Sequence, residues 1–330
     1  CLPVTSWTIN WGDSTIDVFP GNPSSVTHVY TRVGFTHNIL ASVDSGGTTI
    51  LQNDLLVASL VTGNMQWYDH TGGFLMDLGP RAGMDRAYDT IIGPDGNFYL
   101  SGWDSGNVVR YDGTTGASMG EFVAAGGPGG LGAALGMAFG PDGNLYVANY
   151  DADDVLRFDG TTGEFMNAFV TAGLGGLNRP TGLTFGPDGN LYVGNWESNA
   201  VFRYDGSTGE SMGAFVTGGS GGLRGPEDLA FGPDGNLYVG SEDTHEVLRY
   251  DGTTGEFMGP FVVSRAGGLN KPTGLAFGPD GHLYASGYNN NSVLRYDGMT
   301  GTFIDEYVGM GLRGAGFFNF VPGHQVTVLP

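Results

Sequence analysis

The stretch AFGPDGNLYVANYDADDVLRFDGTTGEFMNAFV, residues 138–170, decides the fold. Its four short apolar or aromatic runs are separated by PDG, by a polar loop and by DGTTG. Runs of this length read as a four-stranded antiparallel meander: Asp-Gly supplies the positive-φ positions that tight hairpins need, and the preceding proline fixes the turn's first dihedral. The stretch returns along the chain. GPDG recurs at Asp95, Asp142, Asp188, Asp234 and Asp280, with spacings of 47, 46, 46 and 46, and each copy is followed by VVRYDG, VLRFDG, VFRYDG, VLRYDG or VLRYDG. A degenerate sixth copy precedes them, with NDLLVAS for NLYVGN, MQWYDH ending at His70 for VLRYDG, and TGGFLMDLG for TGEFMGPFV. Six four-stranded sheets of about 46 residues predict an all-β chain, a six-bladed β-propeller of four-stranded blades, each sheet burying both faces against its neighbours. Within a blade the strands are termed a to d from the axis outward. A seventh, shared blade is the alternative, and a solenoid fits the hairpin pattern less well.

Composition agrees. Glycine contributes 61 of 330 residues, which disfavours long amphipathic helices, while 40% apolar and 12% aromatic residues suffice for a core. Thirty-four acids against 13 bases give a net charge of −21, so nucleic acid is not an expected partner. No run approaches the length of a membrane span. The single cysteine, Cys1, forms no internal disulfide; it reads as a lipidated mature N-terminus, as half of a disulfide to another chain, or as a chance start.

The pattern GLxxPxGLAFGPDGNLYV followed by VLRYDGTTGEFMGxFV resembles the NHL repeat family across roughly residues 53–323. The first copy departs from it, with Trp67 in place of the strand-c arginine and no PDG. GFFNFVPG, from Gly316 to Gly323, reads as a strand a that completes this first blade, leaving QVTVL as a surplus strand. Residues 1–45 differ. The turn at Trp11, Gly12 and Asp13, the pair His28 and Tyr30, and Gly34 with Thr36 resemble the second half of a PKD domain, an Ig-like β-sandwich. The organisation expected is thus a partial PKD-like segment over 1–45 and a propeller over 46–330 closed by the C-terminal strand. Half a sandwich exposes an edge, so its missing strands are expected upstream, from the propeller's flank, or from another subunit.

The PDG and YDGTTG turns fall on one face of such a ring, and the b–c and d–a loops on the other. The turns are near-identical, whereas the b–c loops diverge (GWDSGN, NYDADD, NWESNA, SEDTHE, GYNNNS), which points to that face for function, against simple drift of exposed loops. Arg110, Arg157, Arg203, Arg249 and Arg295 recur once per blade and read as inter-blade struts to turn carboxylates. Arg81, Arg86, Arg179, Arg224, Arg265, Lys271 and Arg313 precede inner strands and are expected to ring the channel mouth. Strand a carries Asp89, Gly136, Gly182, Asp228 and Gly274 at one position, so the two aspartates fall three blades apart, opposite one another. Glu227, Glu242, Asp243, His245 and Glu246 join Asp228 in blade five. Hard oxygen ligands of this kind suit calcium or magnesium between Asp89 and Asp228; a solvated acidic loop is the competing reading. The six histidines are scattered, with no HExxH or GxSxG motif for zinc or nucleophilic chemistry.

The resemblance to PKD and NHL modules implies an extracellular or cell-surface, non-enzymatic interaction protein, in its sharper form a self-assembling fibre or matrix subunit held by the N-terminal β segment. Resemblance to six-bladed lactonases and streptogramin-lyase-like propellers implies the alternative, a metal-dependent hydrolase or lyase with Asp89 and Asp228 on the ion and His245 as base. A protein- or glycan-binding module is the third reading. It uses the mixed-charge face, with Arg224, Lys271 and the aromatics Tyr150, Trp196 and Tyr288 as contacts.

Overall fold

The computed structural model describes the backbone of residues 6–10, 16–20, 40–43, 49–79, 84–309 and 311–327, with side chains at 54–79, 84–309 and 311–321. Two compact units form, one of Cys1–Asp54 with Phe320–Pro330 and one of Leu55–Asn319. In the first, β1 (Ser6–Asn10), β2 (Ile16–Pro20) and β3 (Leu40–Val43) make an antiparallel sheet ordered β2-β1-β3, with Trp7 opposite both Phe19 and Val43. Cys1 and the PKD-like positions Trp11, Gly12, Asp13, His28, Tyr30, Gly34 and Thr36 lie outside the described residues.

Six four-stranded sheets follow, a six-bladed propeller. Blade one holds β4 (Thr49–Ser59), β5 (Asn64–Tyr68) and β6 (Phe74–Asp77). Blade two holds β7 (Ala87–Ile92), β8 (Phe98–Gly102), β9 (Asn107–Tyr111) and β10 (Ser118–Val123). Blade three holds β11 (Ala134–Phe139), β12 (Leu145–Asn149), β13 (Asp154–Phe158) and β14 (Phe165–Val170). Blade four holds β15 (Pro180–Phe185), β16 (Leu191–Asn195), β17 (Ala200–Tyr204) and β18 (Ser211–Val216). Blade five holds β19 (Pro226–Phe231), β20 (Leu237–Ser241), β21 (Glu246–Tyr250) and β22 (Phe257–Val262). Blade six holds β23 (Pro272–Phe277), β24 (Leu283–Gly287), β25 (Ser292–Tyr296) and β26 (Phe303–Val308). The last strand, β27 (Ala315–Thr327), lies beside β4 and becomes strand a of blade one, as the sequence predicts. QVT continues this same strand and forms no separate element.

Each PDG aspartate organises its own blade. Asp142 accepts the Asn144 backbone N–H (3.1 Å), the Asn144 side-chain amide (2.7 Å) and the Tyr146 hydroxyl (3.0 Å), with Arg157 Nη1 at 3.5 Å. Equivalent arginine pairs lie at 3.9 Å (Arg110–Asp95), 3.8 Å (Arg203–Asp188) and 3.6 Å (Arg295–Asp280). The guanidinium groups also lie over strand-d rings, Arg157 over Phe169 at 5.5 Å. All these partners belong to one blade, so the arginines brace a blade internally and are not inter-blade struts. A recurrence of one per blade cannot distinguish the two arrangements.

Contacts between blades are aromatic and glycine-mediated. Tyr146 stacks edge-on to Phe185 of the next blade (5.0 Å), and Tyr192 to Phe231 (5.0 Å). The last glycine of each YDGTTG turn sits at positive φ against the preceding blade: a Cβ on Gly209 (φ +75°) would lie 2.0 Å from the Phe169 carbonyl oxygen. The ring closes the same way. A Cβ on Gly72 would lie 1.8 Å from the carbonyl of Tyr307 in blade six, whose hydroxyl donates to the His70 carbonyl at 2.7 Å. Leu60 N–H donates to the Gly314 carbonyl at 2.9 Å where β27 meets blade one. Among the described residues no helix is long and apolar enough to cross a membrane.

Gly189 and Gly209 separate backbone strain from inter-blade contact, because Gly189 shares the positive φ (+78°) but a Cβ there meets nothing within 4 Å. Gly189→Ala is expected to cost about 1–2 kcal/mol in denaturant unfolding, the left-handed penalty alone. Gly209→Ala is expected to cost clearly more, and equal midpoints for the two variants would refute an inter-blade role.

Candidate functional site

The six inner strands meet around the axis, and their shared position shows why glycine is the rule there. A Cβ on Gly136 would lie 2.6 Å from the Thr181 carbonyl, on Gly182 2.5 Å from the Glu227 carbonyl, and on Gly274 2.8 Å from the Phe317 Cα. Asp89 and Asp228 break the rule in blades two and five, as the sequence indicates, and each reaches the next blade's backbone. Asp89 Oδ2 accepts the Met137 N–H at 2.7 Å. Asp228 Oδ2 accepts the Leu275 N–H and Oδ1 its neighbour Leu229 N–H, both at 2.8 Å. The two carboxylates therefore clasp blade two to three and blade five to six.

Burial raises Asp228 to about 7 despite its two N–H donors. Burial, then the charge of Asp228, pushes Asp89 well above the carboxylate range. The calcium or magnesium expected between them fits this donor set poorly: three of the four carboxylate oxygens already accept backbone N–H groups. Among the described residues no three His, Cys, Asp or Glu side chains gather as metal ligands.

One residue earlier on strand a lies the contact that sequence reasoning missed. The Tyr88 hydroxyl of blade two donates to Glu227 Oε2 of blade five, three blades away. Both side chains are buried. The Tyr88 ring packs on Phe317 (5.0 Å) and Trp103 (5.5 Å). Burial, then the neighbouring Glu242 carboxylate, raises Glu227 well above its ordinary value. Glu242 in turn binds Lys271 Nζ of blade six at 2.8 Å. The available signals were that Tyr88 and Glu227 depart from the Leu, Thr or Gly of other blades and that Glu227 belongs to the blade-five acidic cluster.

The remaining predicted residues sit in the loops above. His245 adopts a left-handed turn (φ +61°) and its Nδ1 accepts the Lys271 N–H at 3.1 Å. Burial, then the cations Arg265 and Lys271, lowers its pKa, and its Nδ1 lone pair is already engaged by the Lys271 N–H. Asp243 is exposed and its N–H donates to the Arg224 carbonyl at 3.3 Å. Arg224 is also exposed, while its own N–H donates to Ser241 Oγ at 3.0 Å. Trp196 lies against Gly225, where a Cβ would meet its ring at 2.9 Å. The structure thus brings Glu227, Glu242 and Lys271 together with the His245 turn, and leaves Arg224, Asp243 and Trp196 as rim.

Two further arginines are organised on that rim. Arg86 stacks on Trp103 at 4.3 Å and pairs with Asp104 at 3.5 Å. Arg179 lies over Tyr150 of blade three at 5.7 Å, pairs with Glu197 at 3.6 Å, and its N–H donates to Asp153 at 2.8 Å. On the opposite face the turn carboxylates are consumed locally: backbone N–H groups of Thr115, Thr162, Thr208 and Thr254 hold Asp112, Asp159, Asp205 and Asp251 below the usual range.

Comparison with known proteins supports the propeller. The model of the family described as "Strictosidine synthase-like, N-terminal" matches residues 215–243. Among solved structures, a chain from a nidogen/laminin complex has 17% identity and a TM-score of 0.66, covering 82% of this chain and 98% of that one. A Bacteroides caccae protein of unknown function has 15% identity, a TM-score of 0.62 and the same coverage. Virginiamycin B lyase from Staphylococcus aureus has 17% identity and a TM-score of 0.53, covering 77% of this chain and 78% of that one. No curated protein matches the chain. At these identities the likeness is one of fold.

Asp228 makes stability pH-dependent. The unfolded chain loses this proton near pH 4 and the folded chain holds it to about 7, so stability falls as pH rises through that window. Asp228→Gly, which installs the residue of blades three, four and six, is expected to flatten the fall by up to one proton, about 1.4 kcal/mol per pH unit. Melting temperatures of both proteins from pH 4 to 8 check it; parallel curves would remove Asp228 as the source.

Proposed function

We propose that the protein is a non-enzymatic interaction propeller, working outside the cell or at its surface, that binds a protein partner through the b–c and d–a loop face. One observation carries this reading. Arginines stacked on aromatic rings, half-buried Arg86 on Trp103 and exposed Arg179 on Tyr150, stand on the face whose loops differ from blade to blade. Stacked Arg–aromatic pairs are pre-ordered anchors of the kind that dominate protein interfaces. The likeness to a chain from a nidogen/laminin complex favours a protein partner over a glycan. The extracellular setting rests on the resemblance of residues 1–45 to a PKD domain, and the β1–β3 sheet is our candidate for attachment or self-assembly. Light scattering of the whole chain tests assembly, since a monomer at all concentrations would dismiss the fibre reading.

A photo-reactive side chain at exposed Asp151, on the loop face, is expected to cross-link the partner, while one at exposed Thr161, on the turn face, is not. Arg86→Ala combined with Arg179→Ala should weaken binding at least tenfold with little change in melting temperature. Cross-linking from Thr161 alone would overturn the proposed face.

A second reading, a lyase- or hydrolase-like enzyme, is favoured by the buried Glu227, its pKa raised by burial, bonded to Tyr88 at the centre of the ring. Turnover of a streptogramin or lactone that disappears in Glu227→Gln would favour it.

A further inference from the structure

The pairing of strands c and d slips by one residue at the same place in every blade. There Leu75, Met119, Met166, Met212, Met258 and Ile304 are passed over, each between two paired residues of its own strand d. A bulge of this kind leaves its extra residue out of the ladder and re-aims the side chain. Strand d is the outermost strand of each blade, and all six side chains are exposed, Met119 by 49%, Met166 by 45%, Met212 by 47% and Met258 by 46%. Single exposed apolar residues are ordinary on a soluble protein. A large apolar residue at the same bulge of every blade is a property of the repeat, and in blades two to five it is a thioether.

The inner sulfurs are in a different situation. Met65, Met84 and Met137 are buried, and the Thr90 hydroxyl donates to the Met65 sulfur at 2.9 Å. Oxidation of a buried methionine sets a polar oxygen among apolar groups and disrupts their packing. At the bulge the same chemistry breaks no ladder pair, and the new oxygen faces water. Leucine and isoleucine at this bulge in blades one and six show that the fold itself asks for no sulfur there.

We propose that Met119, Met166, Met212 and Met258 are oxidation sites for a peroxide in the folded protein, a perimeter that takes up oxidant ahead of the buried sulfurs and keeps its structure. A sulfur lone pair attacks one peroxide oxygen, and the O–O bond breaks as the S–O bond forms. The departing hydroxide takes the proton of the transferred OH and leaves as water. Sulfur gives up two electrons to become a sulfoxide, and the peroxide is reduced by the same two. The product is polar, so oxidation replaces an apolar side chain by a hydrated one on four consecutive blades.

Hydrogen peroxide in excess over the whole protein, followed by mass spectrometry of its proteolytic peptides, gives a rate for each methionine. The four are expected to oxidise within about threefold of Met299, which is 88% exposed, and about tenfold faster than Met65 and Met137. With all four converted, the protein should melt within about 2 °C of the untreated one, the shift of a surface change that costs the core nothing. A variant carrying Met119→Leu, Met166→Leu, Met212→Leu and Met258→Leu is expected to fold equally well and to lose those four oxygen additions. Any one of the four lagging tenfold behind Met299 overturns the proposal. So does a melting temperature that falls as their sulfoxides form and holds in the leucine variant under the same peroxide.

Discussion

A carbonyl oxygen of strand d and the last glycine of the next blade's YDGTTG turn lie so close that no side chain fits between them. A Cβ would stand 1.9 Å from the oxygen at Gly163, 2.0 Å at Gly209, 1.9 Å at Gly255 and 1.8 Å at Gly301 and Gly72. The same steric demand acts at the axis, where Gly136 and Gly182 let one inner strand touch the backbone of the next. Glycine is thus required at the outer radius of five of the six junctions and is used at the inner radius in blades three, four and six, so part of the glycine content follows from ring geometry. Left-handed φ at the outer positions adds to the requirement, because only glycine adopts it freely. A ring built on such contacts tolerates few exceptions, which makes Asp89, Asp228 and Phe317 on the inner circle informative.

The architecture was legible because the repeat in sequence is the repeat in space. The 46-residue spacing of GPDG marks one blade, and the partners of each turn aspartate lie within that blade: Asn144, Tyr146 and Arg157 around Asp142. GFFNFV was recognisable as a displaced strand a for the same reason. The arginines show the limit of periodic reasoning, since a residue present once per blade satisfies an intra-blade and an inter-blade geometry equally well.

The centre of the ring was only half legible. Asp89 and Asp228 stood out as departures from glycine, and their opposition follows from counting blades. Their actual partners, the Met137 and Leu275 N–H groups, did not, because a backbone donor leaves no trace in residue identity. Tyr88 and Glu227 are 139 residues apart and meet only because the chain closes on itself. Glu227 stood out only as one acid of the blade-five cluster, and Tyr88 looks like ordinary variation until the ring is assembled.

These departures also give the two faces different characters. Below, each turn aspartate is held by threonine N–H groups of its own turn, so that face repeats one solved local problem and offers few unused polar groups. Above, the substitutions at Tyr88, Glu227 and Glu242 propagate outward through Trp103 and Lys271 into loops that differ from blade to blade. Burying acids costs stability, and the glycine of blades three, four and six shows that the ring does not need them to close. Their presence in two opposed blades makes an otherwise sixfold surface asymmetric. An asymmetric arrangement of stacked arginines on rigid, mutually braced blades is what a specific partner requires for orientation, whereas the uniform turn face would present the same contact at every blade.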